Sequence, residues 1–170
     1  MLRGMRRLLV PLLLLLVLAG GFGWWWYQPE RVVARRITSL FEAAEVEDTA
    51  SEISRSTRGS SLEKFLAPNV VIRGTEEIEE YVDGPQSRDS LVTNYTMAAR
   101  GSRRISFEPA EVDEVIVTGD SATAKARVDA IIELTNGNRP ADGVLHLDME
   151  WKKIDGEWVL SSVAWKETGR

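Results

Sequence analysis

The sequence predicts an α+β domain, helices first and a mainly antiparallel sheet after them, carried behind one apolar N-terminal helix. Three observations predict it. Apolar residues recur with a helical period up to about residue 100 and with a period of two from Arg104 onward. Two tight-turn pairs, Gly119-Asp120 and Asp155-Gly156, punctuate the second half, the later one a strong hairpin signal. Leu8 to Tyr27 is a run of 20 uncharged residues, which as a helix spans roughly 30 Å, the thickness of a bilayer core.

The N-terminal segment divides into a short basic tail, residues 1–7 with Arg3, Arg6 and Arg7, and the apolar run 8–27. Two readings fit that run. Its densest part, Leu8 to Ala19, also has the length of the apolar region of a cleaved secretory signal, with Ala19 and Gly21 as small residues at the right separation. Cleavage there leaves a terminus that begins "FGWWWY", whereas Trp24, Trp25, Trp26 and Tyr27 suit the membrane interface, with apolar rings and polar edges. The aromatic cluster therefore favours an uncleaved signal anchor in the lipid bilayer. Leu18-Ala19-Gly20-Gly21 has the layout of a bacterial lipoprotein signal, but Gly21 occupies the position of the lipid-bearing cysteine, so no lipid can be attached. Arg31, Arg35 and Arg36 after the run balance the three arginines before it, and the positive-inside rule ties. The free amino terminus and the signal-like layout tip the orientation towards a cytoplasmic tail. The expected location is the inner cell membrane, crossed once, with the domain periplasmic or extracytoplasmic.

Residues 28–170 form the domain. After Pro29, a favoured first-turn residue, Val33, Ile37, Leu40, Phe41 and Ala44 mark one face of an amphipathic helix that is expected to end near Asp48. "DTASEISRSTRGSS" has Ile53 as its only large apolar residue and reads as a short helix followed by a loop. Ser60 with Glu63 fits a capping box opening a turn through Leu62, Phe65 and Leu66, and "NVVIRG" reads as a first strand. The acidic run "TEEIEEYVDG" reads as a solvated face. Leu91, Val92, Tyr95 and Ala98 share a side of a helix over Gln86 to Arg100. Alternation then predicts strands near Ile105 to Val112, Val115 to Thr118, Ser121 to Thr135, Gly143 to Ile154 and Glu157 to Glu167, a consecutive meander.

This element order, together with "LEKFLAPNVVIRG", "VIVTGDSATAKARV" and "EWKKIDGEWVL", resembles the nuclear transport factor 2-like, or SnoaL-like, superfamily. The resemblance covers about residues 31 to 168 and implies a cone: a strongly curved sheet wrapped around N-terminal helices and a pocket. Ketosteroid isomerase-like and scytalone dehydratase-like enzymes of that fold set a few acids, tyrosines or histidines inside an apolar cone, where desolvation brings a carboxylate into a useful pKa range. Many members carry aspartate after the short helix; this chain has Asn69. A short inner tail, one span and an outer cone domain is also similar in architecture to inner-membrane assembly components of type IV secretion systems and to some actinobacterial envelope-transport accessory proteins, a likeness that transfers no residues.

Composition excludes several functions. There is no cysteine, hence no disulfide, thiolate nucleophile or cysteine-ligated metal. The three arginines before residue 28 leave the domain 18 of the 21 basic residues against 26 acids, a formal charge of −8, which repels nucleic acid. The candidate catalytic groups are His146 and Asp148, with Glu150 beside them on one strand face, and Tyr95 and Tyr81. Parity argues against the strand group. If Ala126, Val128, Ala130, Leu147, Met149 and Trp151 line the cone, with Trp158 or Trp165 close by, then His146, Asp148 and Glu150 face away from it, towards Lys125 or Glu133. Neighbours on one strand face stand roughly 7 Å apart, too far for all three to share one ion. No metal and no cofactor are expected. Tyrosines in such positions are usually packing residues with a wet hydroxyl. The alanine stripe leaves room either for a small apolar ligand or for Val33, Ile37, Leu40 and Phe41 of the first helix. The function expected is a non-catalytic domain that binds a protein partner or a second copy of itself; the alternative is an apolar-ligand carrier or an isomerase- or dehydratase-type enzyme.

Overall fold

The computed structural model describes residues 28–74, 84–137 and 140–168. The anchor, with Trp24, Trp25, Trp26 and Tyr27, and the acidic run with Tyr81 lie outside the described residues. The elements are α1 (Pro29–Ala44), α2 (Glu52–Leu62), a 3₁₀ turn (Glu63–Phe65), β1 (Leu66–Arg73), β2 (Gly84–Ser87), α3 (Arg88–Gly101), β3 (Ser102–Thr118), β4 (Ser121–Leu134), β5 (Ala141–Ile154) and β6 (Glu157–Thr168).

Three helix boundaries differ from the sequence reading. Helix α1 stops at Ala44 and not near Asp48, because Val46 leaves the helix to pair with Ile105 through N–H···O bonds of 2.9 and 3.0 Å. That bridge buries Val46 almost completely. The Ser60/Glu63 capping box does not form: α2 begins after Ser51, whose hydroxyl accepts the Ser54 N–H at 3.2 Å, and Ser60 lies inside the helix. A helix so poor in large apolar residues is held by close approach. A Cβ on Gly59 would come within 2.2 Å of the Val92 carbonyl oxygen and 2.1 Å of the Thr96 hydroxyl, so the Gly59 backbone of α2 lies directly against α3. Helix α3 starts at Arg88 behind the Ser87 cap, while Gln86 belongs to β2 and pairs with Val70.

The six strands form one curled mixed sheet in the order β2-β1-β6-β5-β4-β3. Every neighbouring pair is antiparallel except β1 with β6, which run parallel. The predicted break between Val112 and Val115 is absent; β3 is one strand with register shifts between Glu108 and Glu111 and between Val112 and Glu114. Extra residues of this kind bend and twist a strand, which curls the sheet about its helices. A further shift on β6 leaves Ser161 as the extra residue, its hydroxyl bonded to the Glu150 carbonyl at 3.1 Å. At the β5–β6 turn Asp155 and Gly156 both take positive φ, 52° and 85°, the geometry expected of an Asp-Gly hairpin. Among the described residues no helix is long and apolar enough to cross a membrane.

Candidate functional site

The concave face of the sheet is built by alternation. Ala122, Ala124, Ala126, Val128 and Ala130 of β4 are buried, and across the ladder Leu147, Met149 and Trp151 of β5 are buried with them. Small side chains on β4 let α1 lie close, and its Val33 and Ile37 are fully buried in the same cluster. Leu40, Phe41, Leu91, Tyr95, Phe107, Leu145 and Trp165 pack against that cluster while remaining half-buried. The Phe41 and Phe107 rings meet at 5.4 Å, tilted, an aromatic contact between α1 and β3. Trp151 is completely enclosed, and among the described residues its indole N–H has no hydrogen-bond partner. Trp158 is buried beside it in the core.

His146, Asp148 and Glu150 are exposed on the opposite, outer face. His146 stands across from Arg127 and Lys166, Asp148 from Lys125 and Ala164, Glu150 from Thr123 and Ser162. No inward position of β4 or β5 carries Asp, Glu or His. Lys125 pairs with Glu114 of β3 at 3.0 Å, and Arg127 with Glu111, so cross-strand ion pairs lace this face. Among the described residues no group of three potential ligands comes together to hold a metal. Asn69 lies exposed on β1, paired in register with Ser87 of β2.

Among the described residues, Tyr95 is the one catalytic candidate that reaches the apolar side. Its hydroxyl donates to the Ala44 carbonyl, one of the last carbonyls of α1, which otherwise lacks a partner within the helix. Burial, with a smaller contribution from Glu45, pushes the Tyr95 hydroxyl up to about 12. Such a proton is held far above neutral pH, and the bond fixes α3 against α1.

Sequence reasoning missed the arginines that hold the helices to the sheet. The Arg55 guanidinium donates to the carbonyls of Ala50, Glu47, Asp48, Ser102 and Arg103, tying the loop after α1 to the start of β3. Beside it Arg103 grips the Asp48 carboxylate with two bonds of 2.7 and 2.8 Å, and that bond holds Asp48 below the usual carboxylate range. Arg36 lies 4.6 Å over the Phe65 ring and donates to the Trp158 carbonyl at 3.0 Å. Nothing in the spacing of these arginines marks them, because apart from the bonds of Arg55 to Glu47, Asp48 and Ala50 their acceptors lie 28 or more residues away in sequence.

No protein family's profile matches the chain, and no curated protein matches it. Solved structures do. A conserved protein from Planctomyces limnophilus is similar with a TM-score of 0.65 at 13% identity, over 82% of this chain and 98% of that one. A proposed dehydratase of the NTF2-like family from Streptomyces avermitilis is similar with a TM-score of 0.59 at 17% identity, over 84% and 97%. A proposed scytalone dehydratase from Novosphingobium aromaticivorans is similar with a TM-score of 0.57 at 16% identity, over 81% and 83%. Identities this low carry the fold and nothing finer. Behind its N-terminal segment, the chain has the cone fold of the NTF2-like proteins.

Proposed function

We propose that the protein is a membrane-tethered interaction domain. Residues 8–27 anchor it in the inner membrane, and residues 28–170 stand on the extracytoplasmic side, binding a protein partner or supporting an envelope complex. The observation that carries this reading is side-chain direction on β5. Its acid–base groups, His146, Asp148 and Glu150, are exposed on the outer face, while Leu147, Met149 and Trp151 fill the inward row. Groups so placed meet other macromolecules and not an enclosed substrate. The hydroxyl of Tyr95, engaged by Ala44, is spent on structure. The tether rests on the uncharged run and its aromatic end, and a single residue, Gln28, separates Tyr27 from the first helix.

Native mass spectrometry of the full chain released from mild detergent tests the proposal, with an empty protein as the expected result. A small molecule retained through release would replace it with the carrier or isomerase/dehydratase reading. The feature that favours this second reading is the enclosed, unpartnered indole N–H of Trp151, a donor to which a ligand acceptor could bond.

A further inference from the structure

The outer face of the sheet contains a hollow of about 190 Å³, and its shape follows from the register. One row across the strands reads Thr123, Glu150, Ser162, Val71, and the next reads Glu114, Lys125, Asp148, Ala164, Arg73. Ser162 and Ala164 of β6 are short. They leave a depression with Asp148 and Glu150 on one wall and Arg73 on the other, two strands away from Asp148. Adjacent strands lie about 4.8 Å apart, so Arg73 stands roughly 10 Å from the Asp148 strand at the backbone. Neither Asp148 nor Glu150 makes an ion pair or a side-chain hydrogen bond among the described residues. Ser162 is only 7% exposed and lines the hollow, and its hydroxyl has no partner among the described residues. The lining carries three carboxylates, Glu114, Asp148 and Glu150, against two cations, Arg73 and Lys125. Glu114 engages Lys125 directly, and Lys125 also acts more weakly on Asp148 across the ladder. The hollow is one positive charge short.

We infer that this hollow receives an arginine side chain of a protein partner, its guanidinium bridging Asp148 and Glu150 above the Ser162 hydroxyl. The inference rests on the interaction-domain reading and names the chemistry of its contact. Asp148 and Glu150 sit two residues apart on one strand face, roughly 7 Å between backbones, a separation that a planar fork with donors at both ends spans better than a single ammonium. The remaining donors point at the floor, where Ser162 supplies an acceptor. Charge-assisted bonds of this kind are about twice as strong as neutral ones.

The test uses the full chain, isotopically labelled in detergent micelles, titrated with an end-blocked Gly-Arg-Gly peptide and with the same peptide carrying citrulline, the uncharged isostere of arginine. The expected result is saturable amide shifts confined to residues 148–150, 162–164 and Arg73 with the arginine peptide alone, weakened about tenfold or more in Asp148→Asn/Glu150→Gln. Both substituted side chains are exposed, so the fold persists and its spectrum elsewhere serves as the control. Shifts that are absent, scattered, or equal with citrulline would overturn the proposal. So would sedimentation showing a dimer that the double substitution dissolves, since the occupant would then be a second copy. A small molecule retained in the mass spectrum would overturn the interaction reading while leaving these shifts unchanged, so the two failures are distinguishable.

Discussion

Trp151 and Tyr95 show how single residues hold this cone. Trp151 is the largest fully buried side chain, and its removal opens a space that α1 and the alanine stripe cannot close. Trp151→Ala is expected to cost about 3–5 kcal/mol, read as a large fall in the denaturant midpoint. Tyr95 offers a test through pH. Its folded pKa of about 12 lies above the ordinary tyrosine value of 10.0, so between those values the unfolded chain has lost a proton that the folded one keeps. The stability it confers is complete below pH 10 and is lost as pH rises towards 12. Tyr95→Phe should remove that alkaline component and, by stranding the Ala44 carbonyl, lower stability near neutrality by about 1–2 kcal/mol. Chemical unfolding of both proteins from pH 9 upward checks it. At this scale the sequence revealed direction but not partnership. Strict alternation told which faces Leu147 and Asp148 take, whereas the five carbonyls around Arg55 come from segments that only the fold brings together.

Elements with strong periodicity were legible and those held by backbone contact were not. The long strands β4, β5 and β6 and the amphipathic α1 follow directly from apolar spacing. Helix α2 offers almost no apolar face, since its buried residues are Gly59 against α3 and Leu62 at its end, and a glycine leaves no hydrophobic signal. The four-residue β2 has no signal of its own in the sequence, where Gly84 ends the acidic run and Gln86 reads as the start of the following helix. The Gly59 crossing gives a sharp expectation. Alanine is the better helix former by about 1 kcal/mol, yet its methyl group would collide with the Val92 carbonyl. Gly59→Ala should therefore destabilise the domain by about 1–3 kcal/mol in thermal melts, with the α2–α3 contact loosened. Gly119→Ala, at a turn with open space around it, should show only the smaller strain of a positive φ.

For the whole molecule, the legible part is the order helices then meander, and the illegible part is how the sheet begins. The consecutive antiparallel strands were readable from turn signals, but the insertion of β6 between β1 and β5 was not, because parallel pairing has no local turn to announce it. The tether is tested at this scale as well. Carbonate-washed membranes should retain the full chain, and a chain lacking residues 1–27 should move to the supernatant; retention of the shortened chain would count against the anchor. The β1–β6 pairing has one more consequence, for the order in which the protein can be made. Leu66 finds its neighbour only at Leu160, 94 residues later. A ribosome delivers residues in sequence, so the first strand waits until residues 157–168 have emerged before its parallel ladder can zip shut. The domain thus stays open until β6 arrives, and a chain cut short before β6 would leave β1 and β5 as raw, pairing-competent edges.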